Sequence, residues 1–303
     1  MGVLGTSDVE FNCEQAVVGS DRGRHLNSIA AGVADAVAKV KGAWRGRPAP
    51  QVRLLPEMIT YDEVLKQDTQ RHTKLVPIGV NEEDLEPIYL DFNADPHFFA
   101  FADGESGKTN LLRQIARGIS ERYTPQEAVI LLVDYRRTML GFLQGDSLLG
   151  YAVSANQLES MVQDVHGSMT RRLPGPDVTQ EQLKTRSWWT GPELFILVDD
   201  YDLVATSTNN PLRSLADFLP QAKDVGLHMV IVRRTGGASK AMYDPVVGKL
   251  KEIAAPGMVM NGSKDEGVLI GNIRPSAMPP GRGNLLTRKH GKQLMQVSWI
   301  QPD

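Results

Sequence analysis

The stretch PHFFAFADGESGKTNLLRQIARGI, residues 96–119, decides the fold. Residues 97–102 form an apolar run, the mark of a buried strand. A glycine-bearing turn leads to Gly107-Lys108-Thr109, after which Leu111, Leu112, Ile115 and Ile119 recur at helical spacing. Strand, glycine loop, Gly-Lys-Thr and helix in that order describe a phosphate-binding loop. Its backbone N–H groups cradle an anion, and the helix adds its unpaired N–H groups and positive dipole end. The expected nucleotide-binding residues are Asp103, Gly104, Glu105, Ser106, Gly107, Lys108, Thr109 and Asn110. Lys108 would reach the terminal phosphates of ATP, and Thr109 would hold Mg2+ through its hydroxyl. Two features depart from the pattern. Ala102 stands where the first glycine belongs, and Glu105 puts a carboxylate in the loop. Gly104 is expected to supply the turn through a positive φ. An ordinary glycine turn is the competing reading.

Working outward, AVILLVD (128–134), LFILV (194–198) and LHMVIV (227–232) are near-continuous apolar runs. Parallel strands buried on both faces read this way. Helical patterns over 154–172, 211–223 and 239–253 alternate with them. Strands alternating with helices predict an α/β fold, a doubly wound, mostly parallel sheet with helices on both faces. Upstream, 76–80 and 87–92 read as a hairpin flanking an acidic loop, and 61–66 as a short helix capped by Thr60 or Asp62. Residues 51–59 could hold a short edge strand, and 293–299 a final one. Leu26, Ile29, Val33, Val37 and Val40 mark an amphipathic helix over 25–44, with Asn27 and Ser28 as caps and Gly42 and Gly46 ending it. The prolines of RGRPAP (45–50) then break regular structure. This divides the chain into an N-terminal helical arm, 1–48, holding one possible strand over 9–18, and a main domain, 49–303.

The second chemical motif is LFILVDDYD, 194–202. An apolar strand running into an acidic residue is how a magnesium aspartate is presented beside a phosphate loop. Asp199 is the expected metal ligand. Asp200 takes the catalytic place where ATP-hydrolysing proteins carry a glutamate that orients water, and it is one methylene short. A displacement of about 1 Å can cost roughly a hundredfold in rate. A plain Asp-Asp cap at the strand end is the alternative. Arg233 and Arg234 follow the 227–232 strand and are candidate γ-phosphate sensors, or else a solvated pair. Asp134, Arg136 and Arg137 end another strand and could orient loops near the nucleotide. Trp188 and Trp189 read as a partner contact or as a half-buried pair.

A net charge of −3 gives no electrostatic case for non-specific DNA binding. The single Cys13 excludes a disulfide framework, and the six histidines show no metal-ligand spacing. No apolar run is long enough to span a bilayer.

FADGESGKTNLLR, ILLVDYRRTML, LFILVDDYDLV and VIVRRTGGASKAMYDP together resemble the C-terminal ATPase modules of the EccC family, the FtsK/SpoIIIE-type motor component of ESX type VII secretion systems. The resemblance spans about residues 50–303. It implies a RecA-like P-loop fold, hexameric assembly, other ATPase modules of the same motor as partners, and a cytoplasmic place at the inner membrane through an anchor elsewhere. It also implies small helical-hairpin secreted substrates recognised by their C-terminal tail. On it, Lys108 and Thr109 match the phosphate-loop residues, Asp199 the magnesium aspartate and Asp200 a degenerate base. The departures at Ala102 and Asp200 put hydrolysis in doubt rather than binding. A regulatory receptor module, an active translocating ATPase and, disfavoured by charge, a DNA motor are the competing functions.

Overall fold

The computed structural model describes residues 26–46 and 54–302. The chain divides into two compact units, 1–52 and 53–303. In the first, helix α1 runs Leu26–Ala43. Asn27 and Ser28 lie inside it rather than capping it, and it continues through Gly42. Its Val33 and Val37 are exposed. The strand expected over 9–18 lies outside the described residues.

The second unit carries α2 (Tyr61–Gln67), β1 (Val76–Asn81), β2 (Pro87–Leu90), β3 (Phe98–Phe101), α3 (Lys108–Arg122), β4 (Ala128–Val133), β5 (Leu148–Ala152), α4 (Ala155–Arg172), α5 (Gln180–Thr185), β6 (Glu193–Val198), α6 (Tyr201–Val204), α7 (Ala222–Val225), β7 (Leu227–Arg233), α8 (Ala238–Ala241), α9 (Pro245–Glu252), β8 (Gly257–Val259), β9 (Arg282–Thr287) and β10 (Gly291–Val297). One ten-stranded sheet has the order β2-β1-β10-β9-β8-β3-β7-β6-β4-β5. The run from β8 to β5 is parallel, and β9, β10, β1 and β2 extend it antiparallel.

Strand alternation divides the core into two layers. Phe98, Ala100, Leu132, Leu197 and Val232 turn to one face and meet Leu111, Leu112, Ile115 and Ile119 of α3. Phe99, Phe101, Val133, Ile196 and Ile231 turn to the other and meet α4 and α9 through Leu158, Val162, Val246 and Leu250. The four α3 side chains are at most 1% exposed. Burial of each contributes about 1.5–3 kcal/mol, enough to fix which face of α3 meets the sheet.

Three local expectations are corrected, and one strand went unread. The helix expected over 211–223 is a 3₁₀ helix, Arg213–Gln221, followed by the single turn of α7. Pro220 lies inside it, and a proline removes a donor and clashes with the carbonyl an α-helix would place there. The helix over 239–253 breaks into α8 and α9, because Asp244 accepts from the Val246 and Val247 N–H groups as a cap and Pro245 begins the new helix. No strand occupies 54–59; Ile59 O accepts from the Trp299 N–H at 2.7 Å, and the next residue, Thr60, forms an isolated bridge with Trp299. Strand β5 was not legible, since its half-exposed LLGYA lacks a clean alternation. A Cβ at Gly150 would come within 3.3 Å of the Leu131 and Met161 side chains, so the strand packs closely there.

Candidate functional site

Because β7 lies between β3 and β6, the loop after β3 and the acidic end of β6 flank the same strand end. In open α/β sheets this C-terminal edge is where ligands bind. Ala102 continues β3, donating its N–H to the Arg233 carbonyl at 3.0 Å, and is fully buried. An alanine is tolerated there because the backbone is still extended. Positive φ falls not on Gly104 but on Glu105 (59°) and Gly107 (96°). The turn is thus made one residue later than expected, and the Glu105 side chain points outward, exposed.

The Asp103 N–H is held by Asn261 O at 3.0 Å, and Ser106 O accepts from Gly281 N–H at 3.0 Å. Among the described residues, the N–H groups of 104–109 have no protein acceptor. That is the donor set a phosphate chain needs, and it opens at the start of α3. Asn110 faces elsewhere. Its amide donates to Ser298 O at 2.7 Å and accepts from Ile300 N–H at 2.9 Å, pinning the chain after β10 to α3.

Thr109 Oγ1 donates to Asp199 Oδ2 at 2.7 Å, which joins the two motifs directly. Thr138 Oγ1 donates to the same oxygen at 3.1 Å, while Oδ1 accepts the Asp200 N–H at 3.0 Å. Burial raises the Asp199 pKa. The Thr109 hydroxyl opposes this, and the charges of Asp200 and Asp134 push it up further. Asp134 is itself buried and takes donors from Met139 N–H and Tyr151 OH, both at 2.8 Å. It therefore organises the loop that carries Thr138.

Asp200 sits at the strand end with φ 42° and is 7% exposed. Its Oδ2 pairs with Arg136 Nε at 3.0 Å, and its Oδ1 lies 3.5 Å from Lys108 Nζ. That Oδ1 is buried and accepts no hydrogen bond. Lys108 also donates to Asp103 O at 3.4 Å. The phosphate-loop lysine and the residue in the catalytic-base position are thus an ion pair, with Arg136 as the second cation on the same carboxylate.

Asp103, Lys108, Thr109, Asp199 and Asp200 are brought together. Arg233 and Arg234 are not. Strand alternation turns the Arg233 side chain to the face opposite Lys108, over Phe101 at 6.0 Å, and Arg234 reaches Asp202. Trp188 and Trp189 are half-buried and donate to the carbonyls of Arg172 and Asp224. Thr138, Tyr151 and the Arg136–Asp200 pair went unread in the sequence, since no spacing rule ties them to Asp199.

The unpaired loop N–H groups, the buried lysine and the Thr109–Asp199 pair fit a nucleotide's phosphates with a divalent ion. Among the described residues no cluster of three or more His, Cys, Asp or Glu could hold a metal alone, so phosphate oxygens would have to complete the ion's shell.

The sheet order and this loop define a RecA-like P-loop module. The chain belongs to the EccC family, the FtsK/SpoIIIE-like ATPases of ESX type VII secretion systems. It is 49% identical over 272 residues to the ESX secretion system protein EccC of Thermomonospora curvata, covering 90% of this chain and 20% of that protein. The solved structure of ATPases 2 and 3 of Thermomonospora curvata EccC, in complex with a signal sequence peptide, is similar at TM-score 0.82 and 47% identity, covering 91% of this chain and 49% of that one. A solved structure described as an ATPase matches at TM-score 0.74 and 30% identity over 82% of this chain and 97% of its own. The chain spans between about a fifth and a half of the curated relatives it matches. No family model matches it. Among the described residues, no helix is long and apolar enough to cross a membrane.

Proposed function

We propose that this chain is an ATP- and Mg2+-binding module of an ESX secretion motor whose degenerate active site serves substrate recognition and regulation of export. The observation that carries the reading is the Lys108–Asp200 ion pair with Arg136 on the other carboxylate oxygen. A residue that must polarise water is instead held between two cations, and it is one methylene too short. Nucleotide binding would draw Lys108 to the phosphates and leave Asp200 to Arg136. The loop N–H groups of 104–109 would hold the phosphates, and Thr109 and Asp199 the ion. The ion, when bound, would neutralise phosphate charge. Asp199 must be ionised to hold it, so binding weakens as pH falls.

A receptor role needs an apolar recess. One of about 390 Å³ lies between the edge of the sheet and α4, lined by Val129, Leu131, Leu149, Met161, Val165 and Leu194. Leu149 is 59% exposed at its mouth. Helix-in-groove recognition uses apolar anchors of this kind with a polar rim. The signal-peptide complex of the Thermomonospora curvata relative supports a peptide as its occupant. The C-terminal tail of a small helical-hairpin substrate would enter here, with the other modules of the motor as neighbours in a hexamer on the cytoplasmic side of the membrane.

The test is fluorescence anisotropy with labelled tail peptides. Micromolar binding is expected, because ordering a flexible tail offsets much of the burial gain. It should survive Lys108→Ala and vanish with Leu149→Lys. Binding that ignores Leu149→Lys excludes this recess.

A further inference from the structure

A second recess, of about 420 Å³, opens on the sheet face opposite Lys108, between the segment after α6 and the turn joining α8 to α9. Its charge is the reverse of the chain's. Arg213, Arg233 and Lys240 line it against a single carboxylate, Asp244, in a protein of net charge −3.

That carboxylate is hydrogen-bonded within the wall. Asp244 Oδ1 accepts from Tyr201 OH at 2.7 Å and from the Val246 and Val247 N–H groups, and Oδ2 accepts from Asn210 Nδ2 at 2.8 Å. It caps α9 and fixes the wall, and its charge reaches Arg233 only from beyond ion-pair distance. The other acids near Arg233 are occupied too. Asp202 takes the Arg234 N–H at 3.0 Å, and Glu266 takes the Gly237 N–H at 2.8 Å.

Arg233 is 7% exposed. Its Nε donates to Arg234 O at 3.1 Å and its Nη2 to Gly236 O at 3.4 Å, both neutral carbonyls. Among the described residues no carboxylate lies within ion-pair distance of it, and Nη1 donates to nothing. Burial lowers its pKa, and the charges of Asp202, Asp244 and Glu266 oppose that shift from beyond ion-pair distance. A buried arginine of this kind is costly unless an anion completes it. Arg213 and Lys240 are exposed on the rim and, among the described residues, make no ion pair. Their long stems let them fold over a ligand seated on Arg233.

We infer that this recess is an anion site for a phosphoryl group, either free phosphate or a small phosphate monoester, with Arg233 at its floor and Arg213 and Lys240 closing over it. A tetrahedral dianion suits cations arriving from separate directions, and each contact is a charge-assisted hydrogen bond. The site is separate from the loop at 104–109, and its test is made with the phosphate affinity of that loop lowered.

The experiment is phosphorus NMR line broadening, with inorganic phosphate and glycerol phosphate titrated separately into the full chain carrying Lys108→Ala. Saturable broadening is expected, and the tighter of the two ligands identifies the source. Arg213→Ala and Lys240→Ala alter exposed side chains, so folding is not at stake. Each should weaken binding about threefold or more, and the pair should remove it. Arg233→Lys keeps the charge but shortens the reach, and should weaken binding more than either single alanine variant. No saturable broadening, or an affinity unchanged in the Arg213→Ala/Lys240→Ala double variant, overturns the site. A glutamate-rich peptide that displaces phosphate more strongly than phosphate displaces it would also overturn it, in favour of an acidic protein partner.

Discussion

Replacing Lys108 by alanine separates nucleotide binding from every other role of the loop. Among the described residues Lys108 Nζ meets only Asp200 Oδ1 at 3.5 Å and Asp103 O at 3.4 Å. Losing it leaves Asp200 still paired with Arg136 at 3.0 Å, so the folded state should persist. With nucleotide bound, the lysine would make charge-assisted hydrogen bonds to phosphate, worth about 1.5–3 kcal/mol each. One to two such bonds are roughly a hundredfold in affinity. At a concentration of about 100 times the wild-type Kd, the parent chain gains about 2.7 kcal/mol of stability. At the same concentration the variant sits near its own Kd and gains about 0.4 kcal/mol. For a domain of this size 1 kcal/mol moves Tm by about 2–4 °C. The expected shifts are therefore about 5–11 °C for the parent and about 1–2 °C for the variant. The assay is thermal denaturation with and without ATP and Mg2+, each protein compared with its own ligand-free Tm. Equal shifts in both would refute the phosphate-loop assignment, whatever the change in ligand-free stability.

Asp199→Asn should raise the ligand-free Tm and abolish the dependence of nucleotide binding on Mg2+. The raised folded pKa means ionised Asp199 costs stability as pH climbs from its ordinary value near about 4, so thermal scans at acid and neutral pH should converge in the variant. The parent chain should hydrolyse ATP well below the roughly 10 per second of ordinary enzymes, and Asp200→Glu should raise the rate if the loop geometry permits it; several turnovers per second from the parent would disprove the degenerate base. Arg122→Ala should cost about 3–5 kcal/mol in chemical denaturation, because it strands Asp68, whose side chain is fully buried and bound by Arg122 and by Tyr89 OH. A loss below about 1 kcal/mol would mean water reaches Asp68.

The sequence alone determined the layers of this protein and the strand, glycine loop and helix that begin its sheet's parallel half. Short apolar runs rich in Val, Ile and Leu, such as AVILLV and LFILV, read as strands covered on both faces, and Gly-Lys-Thr between a strand and an amphipathic helix has few other uses. These are local facts, written in period and spacing. Where the same local rules compete, they misled: proline within 213–221 made a 3₁₀ helix, and Asp244-Pro245 broke one helix into two. Only the tertiary structure decided which side chains meet across the sheet edge. Insertion of β7 between β3 and β6 sets Thr109 on Asp199 across 90 positions of sequence, and Lys108 and Arg136 on Asp200. Strand alternation at Arg233 likewise turns a candidate sensor to the opposite face. The reason is that hydrogen-bond partnership between strands is non-local. Period tells which residues are buried, but strand order and register choose their neighbours.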